Sequence, residues 1–319
     1  MTSDSDPPVL LAPVEKAGAR LKWALRLLLG IGVLTYLLLR GDGAKFAATL
    51  GRVPVWVLFA AACFYLAGQV LSAWKWQLLL VAGGARVSLW RCCALYWLGM
   101  FSNLWLPSSI GGDAVRIWQL RKAGIGGGLA AASVLVERLT GFAALLALGA
   151  CGLLFAQAGA RVSILIFASL VAIIAIPTGF LLLRGVARNR LEELKIGRKL
   201  LSVADAVAVY TRPDGHGALG AALLISLAFQ ASQIALGIGL AHAVGLNLPA
   251  ATFAWLVPLL ALASLVPVGI GGLGVREATA VTLVGSAAPP EVVIAWSLLW
   301  QATVWLSSLP GVAVARKRE

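Results

Sequence analysis

One helix-breaking phrase occurs twice in this chain, 160 residues apart. Pro107, Ile110, Gly111, Gly112, Val115 and Arg116 recur without gaps as Pro267, Ile270, Gly271, Gly272, Val275 and Arg276, giving the pattern P-x-x-I-G-G-x-x-V-R. Proline removes a backbone donor and clashes with the preceding turn, so each copy should interrupt a helix. Both copies lie among long apolar runs, where a broken backbone is tolerated only if protein or a cavity shields the freed groups. Interrupted apolar segments at matching places in two halves are the sequence mark of a transporter's binding region.

Composition agrees. Hydrophobic residues make up 60% of the 319 positions and charged residues only 12%, about half what a soluble domain needs to cover its surface. The chain reads as an all-α polytopic membrane protein. Cys63, Cys92, Cys93 and Cys151 all fall in apolar runs without a C-x-x-C spacing, and are expected to be buried small hydrophobes. The apolar run from Leu21 to Leu39 lacks a following small-residue cleavage site and reads as a retained first span.

Crossing the hydrocarbon core takes about 20 apolar residues. Six segments meet this: 21–40, 54–82, 127–156, 161–183, 217–243 and 290–314. Around each Gly-Gly loop the pattern differs. Residues 86–105 enter and a short charged piece, 113–124, returns; residues 250–265 enter and 275–287 return. Each is expected to be a re-entrant helical hairpin. Residues 21–156 then form a first membrane repeat and 161–315 a second, after a cytoplasmic tail over 1–20. Three full spans separate the two loops, so the hairpins open to opposite faces and the repeat has inverted topology.

Positive charge supports that parity. With the N-terminus inside, Lys16, Arg20, Lys22, Arg86, Arg91, Arg121, Lys122, the basic run from Arg184 to Arg212 and the tail from Arg316 to Arg318 are cytoplasmic. Lys45, Arg52 and Arg161 are outside. Two full spans in place of a hairpin would keep the same parity, but the short, charged return piece argues against them. The net charge of +13 becomes a topology signal and not a nucleic-acid footprint, so no nucleic-acid partner is expected. Within the insertion 184–216, Leu191, Leu194, Leu201 and Val207 recur at roughly helical spacing. They suit an interfacial helix on anionic lipid, or a solvated loop helix.

Ionisable residues inside a bilayer are costly and point to function. Lys75, between Trp74 and Trp76, is expected to snorkel from the end of its span. Glu137 and Arg138 lie deeper, and helical neighbours point about 100° apart. Their expected partners are the hairpin charges: Asp113 for Arg138, and Arg116 or Arg276 for Glu137. Arg116, Arg138 and Arg276 balance Asp113, Glu137 and Glu277, and Lys75 would add one positive charge. Each Gly-Gly is expected to end a loop just before a helix, presenting free N–H groups to an anion. Asp113 could satisfy the first helix start itself, leaving the second, near Arg276, more open.

Three motifs carry a resemblance. They are Asn103 to Pro107 with Gly111 to Arg116, then Val136 to Gly141, then Pro267 to Glu277. In order, they resemble the lysylphosphatidylglycerol synthase transmembrane-region family, also called flippase-like membrane proteins. In two-domain members this region is the lipid-flipping half, followed by a soluble aminoacyl-transferase domain. This chain ends at Glu319, so a stand-alone member without the aminoacylating chemistry is expected. Stand-alone members are associated with lipid or polyprenyl-linked export, and some with hopanoid biosynthesis.

The expected function is translocation of a lipid with an anionic or zwitterionic head group, in a bacterial inner membrane with both termini cytoplasmic. Phospholipid, hopanoid and polyprenyl-phosphate-linked lipids all remain open as partners. The substrate-binding set is Asn103, Pro107, Gly111, Gly112, Asp113, Arg116, Glu137, Arg138, Gly271, Gly272, Arg276 and Glu277. A non-transporting partner of a lipid or polyprenyl-linked glycan synthesis system is the alternative. An intramembrane lipid-modifying enzyme is a weaker one: Ser108 or Ser109 with His242 could form a dyad, but no G-x-S-x-G or metal-ligand spacing supports it. No cofactor is expected, and the sequence leaves the oligomeric state open.

Overall fold

A computed structural model describes residues 13–40, 42–104, 111–155, 195–265 and 272–316, with residues 163, 165, 168 and 169. Among these residues there are helices and turns and no strand. The helices are α1 (Pro13–Arg40), α2 (Gly43–Gly51), α3 (Val55–Ala82), α4 (Leu89–Asn103), α5 (Gly111–Lys122) and α6 (Gly127–Phe155). They continue as α7 (Lys195–Val207), α8 (Pro213–Ala243), α9 (Ala250–Ala263), α10 (Val275–Val284), α11 (Pro290–Ser308) and α12 (Pro310–Arg316). Four are long and apolar enough to cross a membrane: α3, α6, α8, and α11 running into α12. The expected span 21–40 lies within α1, and the expected span 161–183 falls almost wholly outside the described residues.

The chemistry of α3 is turned inside out relative to a water-soluble helix. It exposes Val55, Trp56, Phe59, Phe64 and Trp74, while Gln69, Ser72 and Lys75 are buried. Lipid tails are as apolar as leucine, so helices associate through close packing of small residues and polar contacts instead of hydrophobic burial. Gly68 abuts the Phe229 ring and the Gln233 amide, Gly152 packs on Ala254, and Gly311 packs on the Trp97 backbone and Phe101. Around Trp296 a denser cluster forms, with Phe253 and Trp300 edge-on at ring-centroid distances of 5.6 and 5.9 Å.

Packing follows the repeat. The α4 helix of the first half rests on α12 of the second, and α9 of the second rests on α6 of the first. Likewise α3 packs on α11 as α8 packs on α6, and the α4–α5 and α5–α6 contacts recur as α9–α10 and α10–α11. The central pair is α3 with α8, and it runs antiparallel. Leu79 shares a cluster with Ala222, Lys75 reaches Ser226, and Gly68 meets Phe229 and Gln233.

Of the expected stripe, Leu201 and Val207 lie on helix α7 and meet protein, while Leu191 and Leu194 lie outside the described residues. The buried Leu201 and Val207 continue into Tyr210, which sits among Leu79, Val136 and Ala222. The Tyr210 hydroxyl donates to the Leu79 carbonyl at 2.9 Å, and burial pushes its pKa up to about 12. Gly128 of α6 lies so close to Ser202 that a β-carbon there would collide with it. One face of the helix is thus docked on α6. Of the cysteines, Cys92 and Cys93 are buried as expected, whereas Cys63 and Cys151 lie on the surface.

Candidate functional site

Two short helix pairs frame the centre. With 15 and 12 residues, α4 and α5 reach roughly 22 and 18 Å, and α9 and α10, with 14 and 10 residues, reach about 21 and 15 Å at 1.5 Å per residue. All four fall short of the ~30 Å hydrocarbon core. The two copies of the motif begin their second helices differently. In the first, α5 starts at Gly111 itself, and Asn103 Oδ1 accepts the Gly112 N–H at 2.6 Å. Gly112 lies against the Gly99 carbonyl with no room for a β-carbon, which explains the glycine. In the second, α10 starts only at Val275, and Gly272 occupies the left-handed region at φ +85° that glycine alone adopts without strain. Pro107 and Gly271 lie outside the described residues.

The first copy carries a closed ion network. Arg138 grips Asp113 through Nε and Nη2, both at 2.9 Å, the two-pronged geometry favoured by guanidinium and carboxylate. Arg116 meets Asp113 Oδ1 and Glu137 Oε2 at 3.2 Å. Its guanidinium lies between Trp76 and Tyr96, at 4.0 and 4.1 Å from the ring centroids. Tyr96 donates to Glu137 Oε1 at 2.9 Å. The expected pairings of Arg138 with Asp113 and of Arg116 with Glu137 are both present. Asp113 spends its carboxylate on these two arginines, while Asn103 supplies the cap expected of it.

The expectation for Lys75 is overturned. It is only 2% exposed, and its Nζ lies 3.1 Å from Glu137 Oε1. The same nitrogen donates to the Glu137 carbonyl at 3.1 Å and to Ser226 Oγ at 3.0 Å. Trp76 is therefore not part of a membrane-edge belt around a snorkelling amine: it donates its indole N–H to Ser133 at 3.1 Å inside the bundle, while Trp74 is exposed. With Lys75 inside, the central set holds four cations, Lys75, Arg116, Arg138 and Arg276, against Asp113, Glu137 and Glu277.

In the second copy the helix start is satisfied from within. Glu277 Oε2 accepts the Gly274 N–H at 2.7 Å, and Glu277 Oε1 accepts from Ser297 at 2.8 Å. The carboxylate thus takes one of the N–H groups expected to stay open for a ligand. What stays open is the side chain of Arg276. It is 8% exposed, makes no ion pair among the described residues, and leaves Nε without a hydrogen-bond partner. Its guanidinium lies 4.6 Å from the Trp300 ring centroid.

Arg276 lines a cavity of about 360 Å³ together with Lys75, Glu137, Arg138, Tyr96 and Asn103. Such a volume and such convergent polar groups suit a ligand pocket. Sequence reasoning missed four glutamines on the same wall: Gln69, Gln230, Gln233 and Gln301. The signal was present, because an amide in an otherwise apolar membrane helix needs an internal partner. Gln230 finds one in the Gly141 carbonyl at 3.2 Å. Asp113, Arg116, Glu277 and Gly112 stand behind the wall and position it. His242 sits exposed in the last turn of α8, while Ser108 and Ser109 lie outside the described residues. Among the described residues no cluster of His, Cys, Asp and Glu could hold a metal ion.

Comparison with known proteins finds one family. The model described as "Lysylphosphatidylglycerol synthase TM region" matches residues 23–311. No curated protein matches the chain.

Proposed function

The chain belongs to the lysylphosphatidylglycerol synthase transmembrane-region family, an integral membrane family with a lipid-related role. From that premise we propose that it moves a lipid with an anionic or zwitterionic head group across the bilayer. The observation that carries this reading is the half-open cavity with the buried guanidinium of Arg276, which makes no ion pair among the described residues, on its wall. A buried cation without a contact ion pair is expensive, and a phosphate-bearing head group would pair with it. The acyl chains would stay in the bilayer between helices.

In this reading the pairs α4–α5 and α9–α10 are re-entrant hairpins, and the two halves, 21–156 and 161–315, form an inverted repeat of six full spans. Support comes from the shortness of the four helices, the antiparallel α3–α8 pair and the reciprocal packing of the halves. A two-fold axis relating antiparallel helices would lie across them, in the membrane plane, as in inverted-topology transporters. Both termini would be cytoplasmic in a bacterial inner membrane. The reading assigns no covalent chemistry, and movement would be passive or coupled to an ion gradient.

The test is transbilayer movement of labelled phospholipid, hopanoid and polyprenyl-phosphate analogues in proteoliposomes. Wild type should move at least one class, and Arg276→Lys should slow it about tenfold, because lysine lacks the planar fork that grips phosphate two ways. Failure to move any lipid would sink the reading in favour of a partner of a lipid-synthesis system.

A further inference from the structure

Arg276 and Gln233 reach the cavity from different helices of the second half, and both carry an unsatisfied donor. Gln233 is 6% exposed with Nε2 unpartnered, and Arg276 is 8% exposed with Nε unpartnered. Trp300 links them: its ring packs against Gly237, one turn along α8 from Gln233, and lies under the Arg276 guanidinium. Arg116, the counterpart of Arg276 in the first half, also leaves Nε without a partner, but its guanidinium holds two carboxylates and two aromatic faces, where Arg276 has no ion pair among the described residues. Buried polar groups are ordinarily paired, so two open donors on one wall mark a missing acceptor.

The charge of that acceptor follows from the residues around it. Four cations face three carboxylates in the central set, leaving one positive charge, and Glu277 is committed to Gly274 and Ser297. Glu291, in the first turn of α11, lies at a helix end, apart from this set. Among the described lining residues Glu137 is the only carboxylate, and Lys75, Arg116 and Tyr96 hold both of its oxygens. A ligand ammonium would find no free anion there and would add to the positive excess beside Lys75 and Arg138.

We propose, building on the translocation reading, that the cavity selects a lipid head group bearing one negative charge, a phosphodiester, and rejects head groups with a net positive charge. A phosphodiester offers two unesterified oxygens and a single charge, matching one guanidinium fork and one amide N–H. A phosphomonoester or pyrophosphate brings further charge that nothing in the set balances.

The test is binding, kept separate from transport. Purified full-length chain in nanodiscs of neutral lipid is titrated with phosphatidylglycerol, phosphatidic acid, phosphatidylethanolamine, aminoacylated phosphatidylglycerol and water-soluble glycerophosphoglycerol. Phosphatidylglycerol should bind tightest, at least tenfold better than its aminoacylated form. Arg276→Gln and Gln233→Leu should each weaken it about tenfold, with Arg276→Lys recovering part of the loss. Should Arg276→Gln fail to fold, judged by circular dichroism and elution volume, Gln233→Leu carries the test. Equal binding of the aminoacylated lipid overturns the proposal, as does unchanged binding in the folded variants. If the soluble glycerophosphodiester binds as tightly as the lipid, the site serves a free solute and the lipid assignment falls. Selective binding without transport would retire translocation and leave the charge selectivity standing.

Discussion

Removing Glu137 and removing Lys75 should have unequal costs, although the two form one buried pair. In Glu137→Gln, Lys75, only 2% exposed, keeps only the Ser226 hydroxyl and a backbone carbonyl, with no other carboxylate in ion-pair contact among the described residues. Arg116 falls back on Asp113, which already serves Arg138. Stranding a buried charge costs about 3–5 kcal/mol, a large share of the ~5–15 kcal/mol that holds a folded protein together. In Lys75→Met the carboxylate still has Arg116 and Tyr96. Only a charge-assisted hydrogen bond is lost, and the relief of burying an ammonium offsets part of it, for a net cost of about 1–2 kcal/mol. The double variant Lys75→Met/Glu137→Gln strands no lysine and should recover roughly 2 kcal/mol relative to Glu137→Gln alone, within the coupling expected for contacting residues. Equilibrium unfolding in mixed micelles, followed by tryptophan fluorescence, measures all three. A Lys75→Met as damaging as Glu137→Gln, or a double variant no better than the latter, would refute this arrangement of charges.

Gly112→Ala should destabilise by about 1–3 kcal/mol, because its β-carbon would meet the Gly99 carbonyl; denaturant midpoints check this. Tyr210→Phe should cost about 1 kcal/mol through loss of the bond to Leu79, read as faster proteolysis of α7 with α3 and α8 intact. The Lys45 backbone N–H and ammonium hold the Asp42 carboxyl below its ordinary value of 3.8. A lowered folded pKa stabilises above the unfolded value and is lost as pH falls through the folded one, so amide protection at Ala44 and Lys45 should hold at pH 5 and be lost only below pH 3.8. Single cysteines at Lys45 and Ala158 should label from outside and those at Asn189 and Lys317 from inside; outside labelling of Asn189 would refute the inverted topology.

Much of this was legible because backbone chemistry is local. Proline and paired glycine interrupt helices wherever they stand, so both short helix pairs and their register could be read from residues 107–116 and 267–276. The partner of Arg138 was legible too, since adjacent helical residues cannot satisfy one another. Lys75 was not. Its flanking tryptophans look the same at a membrane edge and in a packed core, and only the antiparallel register that sets Ser226 opposite decides between them. The stripe of α7 was visible, but a stripe does not say whether lipid or protein covers it. The cap from Glu277 was not legible either: the return helix starts at 275 as expected, but which acceptor reaches the Gly274 N–H depends on the turn before it.

Blocking the cavity itself tests most directly whether lipid passes through it. Met100 lines the cavity, is partly buried, and takes no part in the ion network. In a chain whose four cysteines are replaced, Met100→Cys should transport lipid at near the wild-type rate in proteoliposomes. Complete modification with a bulky maleimide, verified by intact mass, should abolish that transport while the same reagent leaves a cysteine at surface-exposed Trp56 without effect. Undiminished transport after complete modification at position 100 would contradict passage through this cavity.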